Sequence, residues 1–190
     1  PALLITHGLP ASGKTRLTDG LLQRAGAVRL RSDVERKRLA GLAPLAGSRA
    51  SRPAVDLYSE AATDATYAHL GRLARQALAA GWPVIVDAAF LRRDQREAFR
   101  ALAAEAGVRF AILDCQAPMA VLQQRIRERR ARADDASEAD ESVLALLAAR
   151  QEPLAGDEHV HAIAVRTDEA VDLDALLSAW RGRPPAGLRD

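Results

Sequence analysis

A lysine and a threonine stand side by side behind two glycines in GLPASGKT, residues 8–15, directly after the apolar run ALLIT at 2–6. Gly8, Gly13, Lys14 and Thr15 satisfy the spacing G-x-x-x-x-G-K-[ST], which suits a loop that curls around an anion. Gly8 permits a sharp exit from a strand. Gly13 lets the backbone close on a phosphate at the start of a helix, whose N-terminus adds about half a positive charge. Lys14 supplies a full charge for the β and γ phosphates, and the Thr15 hydroxyl suits a magnesium ion. Pro10, Ala11 and Ser12 complete the cradle, with Pro10 and Ala11 stiffening a loop that often carries glycine there. Bound ATP and Mg²⁺ are therefore expected.

Two further stretches carry carboxylates at places where a strand gives way to a turn. In RLRSDVERKRL (29–39), Ser32 and Glu35 form an expected capping box, which puts Asp33 in the first turn of a helix. There it faces the crevice at the C-terminal edge of a parallel sheet, where ligands bind. It could take the proton of an attacking hydroxyl, kept ionised by Arg36 and Lys37 three and four residues on. A carboxylate that merely suits the helix dipole would look the same. PVIVD (83–87) ends in Asp87, four apolar residues followed by an acid, a form that holds Mg²⁺. FAILD offers a rival in Asp114. Arginines then gather in LRRDQREAF, with Arg92, Arg93 and Arg96, and in QQRIRERRARADDASEAD, where Arg125 and Arg129 share one helix face.

Five short, almost continuously apolar runs must position these residues: 2–6, 27–31, 83–87, 109–114 and 161–167. Such runs read as strands covered on both faces. Helical patterns fall near 14–24, 33–40, 56–80, 92–106, 118–131, 138–151 and 172–181, closed in three cases by Gly26, Gly81 and Gly107. Strand and helix in alternation predict an α/β fold with a parallel sheet between two helical layers. SEAD (137–140) is a second expected capping box. The segment 41–54 reads as a Gly/Pro/Ser-rich loop, and 183–190 as a flexible tail to a single domain over 1–182.

The chain has 190 residues, 48% hydrophobic and 27% charged, with a formal net charge of +2. This balance gives no argument for a nucleic-acid or membrane partner. Its single cysteine, Cys115, excludes an internal disulfide and suits a reducing compartment. No run approaches the roughly 20 apolar residues of a membrane span. No signal peptide precedes the first strand, so a cytoplasmic protein is expected. His159 and His161 lack a third ligand nearby and read as an exposed turn, His7 as a residue that shapes the loop, and Trp82 and Trp180 as packing residues.

GLPASGKT, RLRSDVERKRL and GWPVIVDAAFLRRDQREAF together resemble the P-loop kinases related to zeta toxins and to the kinase domain of polynucleotide kinase. More closely, nearly the whole chain, LDCQAP and DDASEAD included, resembles the C-terminal kinase-like half of bacterial two-part proteins whose N-terminal half is aminoglycoside phosphotransferase-like. The resemblance implies a P-loop three-layer sandwich with strand order 2-3-1-4-5, which sets Asp87 beside Thr15 as the metal holder. It implies Asp33 as general base with Arg36 beside it on the acceptor hydroxyl, and Arg96 as a further acceptor-positioning residue. It also implies a helical lid at about 118–140, whose Arg125 and Arg129 clamp the β and γ phosphates with Lys14. An N-terminal phosphotransferase-like partner domain follows from it, with residue 1 an artificial start. The expected activity is transfer of the γ-phosphoryl group to a hydroxyl of a small molecule. A 5′-hydroxyl polynucleotide kinase and a non-catalytic ATP-binding regulatory module are the alternatives. Only 4% of residues are aromatic, and Trp82, Phe99 and Phe110 fall where packing claims them. That leaves few platforms for stacked bases and disfavours a nucleic-acid acceptor.

Overall fold

The computed structural model describes residues 1–43, 57, 59–132 and 140–182. Its centre is a five-stranded parallel sheet in the order β2-β3-β1-β4-β5, as expected. The strands are β1 (Ala2–His7), β2 (Val28–Arg31), β3 (Val84–Asp87), β4 (Arg109–Gln116) and β5 (Ala162–Arg166). In chain order the helices are α1 (Lys14–Ala25), α2 (Ser32–Leu39), α3 (Glu60–Ala79), α4 (Arg93–Glu105), α5 (Met119–Arg132), α6 (Glu141–Arg150) and α7 (Leu173–Arg181). A 3₁₀ turn at Gly156–Glu158, with no counterpart in the sequence reading, precedes β5.

Successive side chains of a strand point to opposite faces, so a central strand must be apolar on both. β1 shows this directly. Leu3 and Ile5 join Leu70 of α3 and Phe99 of α4 in one core, whereas Leu4 joins Leu21 of α1 and Trp180 of α7 in the other. All three of these β1 residues are fully buried. Leu3 pairs with Val84 on one side and with Phe110 on the other, which brings the ends of β1 and β3 level. Gly26, Gly81 and Gly107 take left-handed φ values of 59°, 87° and 65° just past their helices, the conformation only glycine adopts cheaply.

Several local expectations are corrected. The Ser32–Glu35 capping box does not form: Arg31 is the N-cap of α2, Ser32 already lies in the helix, and Glu35 is buried, bonded to His69 Nε2 at 3.0 Å and Arg38 Nη1 at 2.7 Å. Trp82 is 55% exposed, because it stands in the turn ahead of β3 where no helix covers it. His161 is buried and meets the Phe110 ring edge-on, its centroid 5.4 Å away. The N-cap of α6 is Asp140, whose carboxylate accepts the Ser142 and Val143 N–H groups. Residues 44–54 of the expected loop, 133–139 of the expected lid, Ser137 of the second capping box and the tail at 183–190 lie outside the described residues.

Candidate active site

The loop between β1 and α1 has the strained backbone that its glycines foretell. Gly8 sits at φ 143°, and a Cβ there would lie 2.6 Å from the Cys115 carbonyl oxygen. Gly13 sits at φ 85°, where a Cβ would press on Thr167 at 3.1 Å. A side chain is blocked at Gly8 by the backbone and strained at Gly13 by the positive φ. Ala11 takes φ 62°, a left-handed conformation that costs an L-residue about 1–2 kcal/mol. The loop is tied to the next strand by the Gly8 N–H on the Ala89 carbonyl at 3.1 Å, and by the buried Thr6 hydroxyl on the Ala88 carbonyl at 2.6 Å.

Lys14 folds back over this loop, its ammonium donating to the Gly8 and Leu9 carbonyls at 2.9 and 2.7 Å. Burial pushes its pKa down, as does the Arg129 charge, while the Asp87 and Asp33 charges oppose the shift. An incoming polyphosphate supplies the negative charge this ammonium lacks.

Asp87 ends β3 beside the loop, as expected. Burial pushes its carboxyl up, against the pull of the Lys14 charge and a hydrogen bond from the Thr15 hydroxyl. Its Oδ2 also accepts from the Thr18 hydroxyl at 3.2 Å, and Thr18 in turn accepts from Arg29 Nη1 at 3.1 Å. The Thr15 hydroxyl and the Asp87 carboxylate thus meet as two hard oxygen donors, a set that fits Mg²⁺. Asp114, the rival, is turned away. Its Oδ1 accepts from His7 Nδ1 at 2.7 Å, with the ring tautomer assigned from this bond, and its Oδ2 from Gln116 Nε2 at 2.6 Å. These partners overcome the effect of burial and hold the Asp114 carboxyl below its usual range.

Asp33 lies in the first turn of α2, but the cation on it is not Arg36. Arg31, the last residue of β2, grips it with Nε on Oδ1 at 3.1 Å and Nη2 on Oδ2 at 2.6 Å. Oδ1 also accepts the Val34 N–H at 2.8 Å. Oδ2 accepts one bond among the described residues, which leaves it a lone pair for a further donor.

Residues 10–15 of the loop, Asp33, Arg36, Asp87, Arg125 and Arg129 all line one cavity of about 820 Å³. Within it the two α5 arginines are differently placed. Arg125 is fastened to the end of β5, with Nη2 on the Thr167 carbonyl at 2.6 Å, and to the Ala11 carbonyl at 3.2 Å. Arg129 is the one whose charge is felt at Lys14. Arg125 therefore braces the loop against β5, a role that its spacing from Arg129 did not announce.

Arg96 is corrected outright as an acceptor residue. Its side chain is fully buried, bonded to both Glu158 oxygens at 2.6 and 2.9 Å and to the carbonyls of Phe90, Glu152 and Pro153 at 3.0–3.2 Å. It does not line the cavity; its neighbour Gln95 does. Tyr67, Gln95 and Arg150 are cavity residues that the sequence reading missed. Tyr67 was findable, since Thr63 and Tyr67 follow one face of α3 toward the loop after β3. The Tyr67 hydroxyl accepts the Phe90 N–H at 2.9 Å, and burial pushes its phenol up, so it keeps a proton to donate. Phe90 itself, at φ 47°, is locked between the rings of Tyr67 and Phe99 at 5.0 and 4.9 Å. Cys115, behind the loop, has its thiol pushed up to about 12 by burial and stays neutral. Among the described residues no three His, Cys, Asp or Glu side chains gather as a metal cluster, and no helix is long and apolar enough to cross a membrane.

The chain is 34% identical over 152 residues to an uncharacterized protein of Mycobacterium tuberculosis (strain ATCC 25618 / H37Rv), a match over 78% of this chain and 29% of that protein. It therefore spans less than a third of the length of this curated relative. Among solved structures, Kti12 of Chaetomium thermophilum, in complex with ADP-AlF₃, superposes with a TM-score of 0.71 at 16% identity, covering 96% of this chain and 99% of the other. A sugar kinase of Janibacter sp. HTCC2649 superposes with a TM-score of 0.69 at 18% identity, covering 97% and 96%. At these identities the likeness is one of fold, the P-loop NTPase sandwich with kinases among its neighbours. The AAA_33 family model, an AAA domain, matches residues 3–154, and the chain belongs to that family.

Proposed function

We propose that this chain is a phosphotransferase that moves the γ-phosphoryl group of ATP to a hydroxyl of a small-molecule acceptor. The observation that carries the reading is the meeting, in one cavity, of a phosphate loop with its lysine and two carboxylates at the ends of adjacent strands. One carboxylate, Asp87, stands with Thr15 and would hold Mg²⁺, which screens the charge of the transferred group. The other, Asp33, keeps an open lone pair and would take the acceptor's proton. As the hydroxyl oxygen bonds to the γ-phosphorus, the bond from phosphorus to the bridging oxygen breaks and its electron pair leaves with ADP. Lys14 and Arg129 offset the charge spread over the phosphoryl oxygens. Arg125 holds the loop and the β5 end in register. The resemblance to zeta toxins and polynucleotide kinase supports the base assignment, and a phosphotransferase-like partner domain in the full-length protein belongs to the same reading.

ADP release and ³¹P NMR of acceptor panels test it. Lys14→Ala should abolish turnover with the fold intact. Asp33→Asn should lower kcat by about 10²–10⁴ with little change in KM for ATP. Full phosphotransfer in Asp33→Asn would refute the base. Tight ATP binding with no transfer to any sugar, polyol, nucleoside or oligonucleotide would favour a nucleotide-sensing module instead.

A further inference from the structure

One wall of the cavity is apolar. Leu144 turns one side of α6 into a small core with Leu122 and Ile126 of α5. Val143, Leu146, Leu147 and Arg150, at spacings of three, four and seven, form a second stripe on the same helix, and all four line the cavity. Leu146 is 49% exposed there. A polyol needs hydrogen-bonding groups along its length, and a wall of branched aliphatic side chains offers it none.

Polar groups are placed at discrete points instead. Gln95 is 9% exposed, lines the cavity, and its side-chain amide makes no hydrogen bond among the described residues. Tyr67 has its hydroxyl proton to give. Arg150, at the end of the apolar stripe, forms no ion pair among the described residues, whereas Arg92 on the same cavity is bound to Asp94 and Asp64. Arg150 is thus the charged residue of the stripe, and it stands exposed at the end of it. From Val143 to Arg150 the stripe runs about 10 Å along the helix.

We propose that the acceptor is an amphipathic hydroxy acid. Its apolar body of about that length lies on Val143, Leu146 and Leu147, its anionic group meets Arg150, and its hydroxyl is presented to Asp33. This rests on the kinase reading above. The step is the same transfer: the hydroxyl proton passes to Asp33, the oxygen–phosphorus bond forms, ADP leaves, and a phosphate monoester of the hydroxy acid results.

The test sets 8-hydroxyoctanoate beside 1,8-octanediol and gluconate. Product formation is followed by ³¹P NMR, and binding by calorimetry with a non-hydrolysable ATP analogue. The hydroxy acid should exceed both others at least tenfold in kcat/KM. Arg150→Gln should lower the acid-over-diol preference at least tenfold. Leu147→Gln should raise KM for the hydroxy acid, leaving KM for ATP in place. Gluconate preferred over the hydroxy acid, or an acid-over-diol ratio unmoved by Arg150→Gln, would overturn the proposal and leave the kinase reading standing. Arg150-dependent binding of the hydroxy acid without transfer to any acceptor would do the reverse. Neither binding nor transfer of the hydroxy acid would also overturn it.

Discussion

Replacing Arg96 by methionine separates the structural role found here from the acceptor role that its place in LRRDQREAF suggests. The substitution keeps an unbranched side chain of similar reach but removes the charge and every donor. Glu158 would keep only the Ala155 N–H, at 2.8 Å on Oε2, and the carbonyls of Phe90, Glu152 and Pro153 would lose their shared partner. With the two side chains 0% and 3% exposed, little water reaches what is left behind. Removing one partner of a buried pair costs about 3–5 kcal/mol, because the other charge stays buried and uncompensated. For a domain of this size that is a fall in Tm of roughly 6–20 °C. Arg96→Met with Glu158→Leu should recover much of the loss, since both charges go together.

The pH dependence has a definite sign. Burial alone would raise the Glu158 carboxyl, but the Arg96 bonds and the Ala155 N–H outweigh it and hold the pKa below its ordinary value. A depressed folded-state pKa stabilises the protein above the unfolded-state value, and that stability is lost as pH falls through the folded-state value. In Arg96→Met, burial is opposed only by the Ala155 N–H and the Arg93 charge, so the Glu158 carboxyl rises and its lone charge is lost on acidification sooner than in the wild type. The deficit of Arg96→Met relative to wild type should be full at pH 7 and shrink toward pH 5, measured by urea unfolding at each pH. A loss under about 1 kcal/mol at pH 7, or a variant of wild-type stability that has lost only its affinity for the acceptor, would refute the argument and restore the acceptor role.

Two further outcomes are expected. Thr18→Val removes a fully buried hydroxyl between Arg29 and Asp87 without changing shape, and should cost about 1–3 kcal/mol in urea unfolding. It should also raise the Mg²⁺ concentration for half-maximal ADP formation, and an unchanged Mg²⁺ titration would show that Asp87 needs no such support. Mg²⁺ with a non-hydrolysable ATP analogue should slow trypsin cleavage across the arginine-rich stretch from Arg125 onward; equal cleavage with and without nucleotide would mark α5 as an ordinary surface helix.

The phosphate loop was legible because backbone conformation dictated residue type. A side chain at Gly8 would strike the Cys115 carbonyl, and one at Gly13 would be strained at φ 85° and crowd Thr167, so both positions favour glycine and the spacing follows. An acid closing an apolar strand was not decisive by itself, since VIVD and FAILD share that form; the strand order sets the tip of β3 beside the loop, whereas Asp114 is taken by His7 and Gln116. Arg96 was misread because the carboxylate that buries it lies 62 residues downstream, a distance no local pattern spans. Its position three before Phe99 did place it on the core-facing side of α4, but arginines seldom sit there without such a partner. The Arg31 partner of Asp33 was missed because helix spacing pointed forward to Arg36 and Lys37, while a first-turn residue also reaches back to the strand end, where Arg31 stands. Gln95 gave no signal at all: a neutral amide alters neither charge pattern nor hydropathy period. The same limit applies to α6. In ESVLALLAAR apolar residues occupy almost every turn position, so periodicity cannot say which stripe meets the protein and which meets a ligand. Only the packing of Leu144 on Leu122 and Ile126 decides it, and that contact turns Val143, Leu146 and Leu147 toward the cavity.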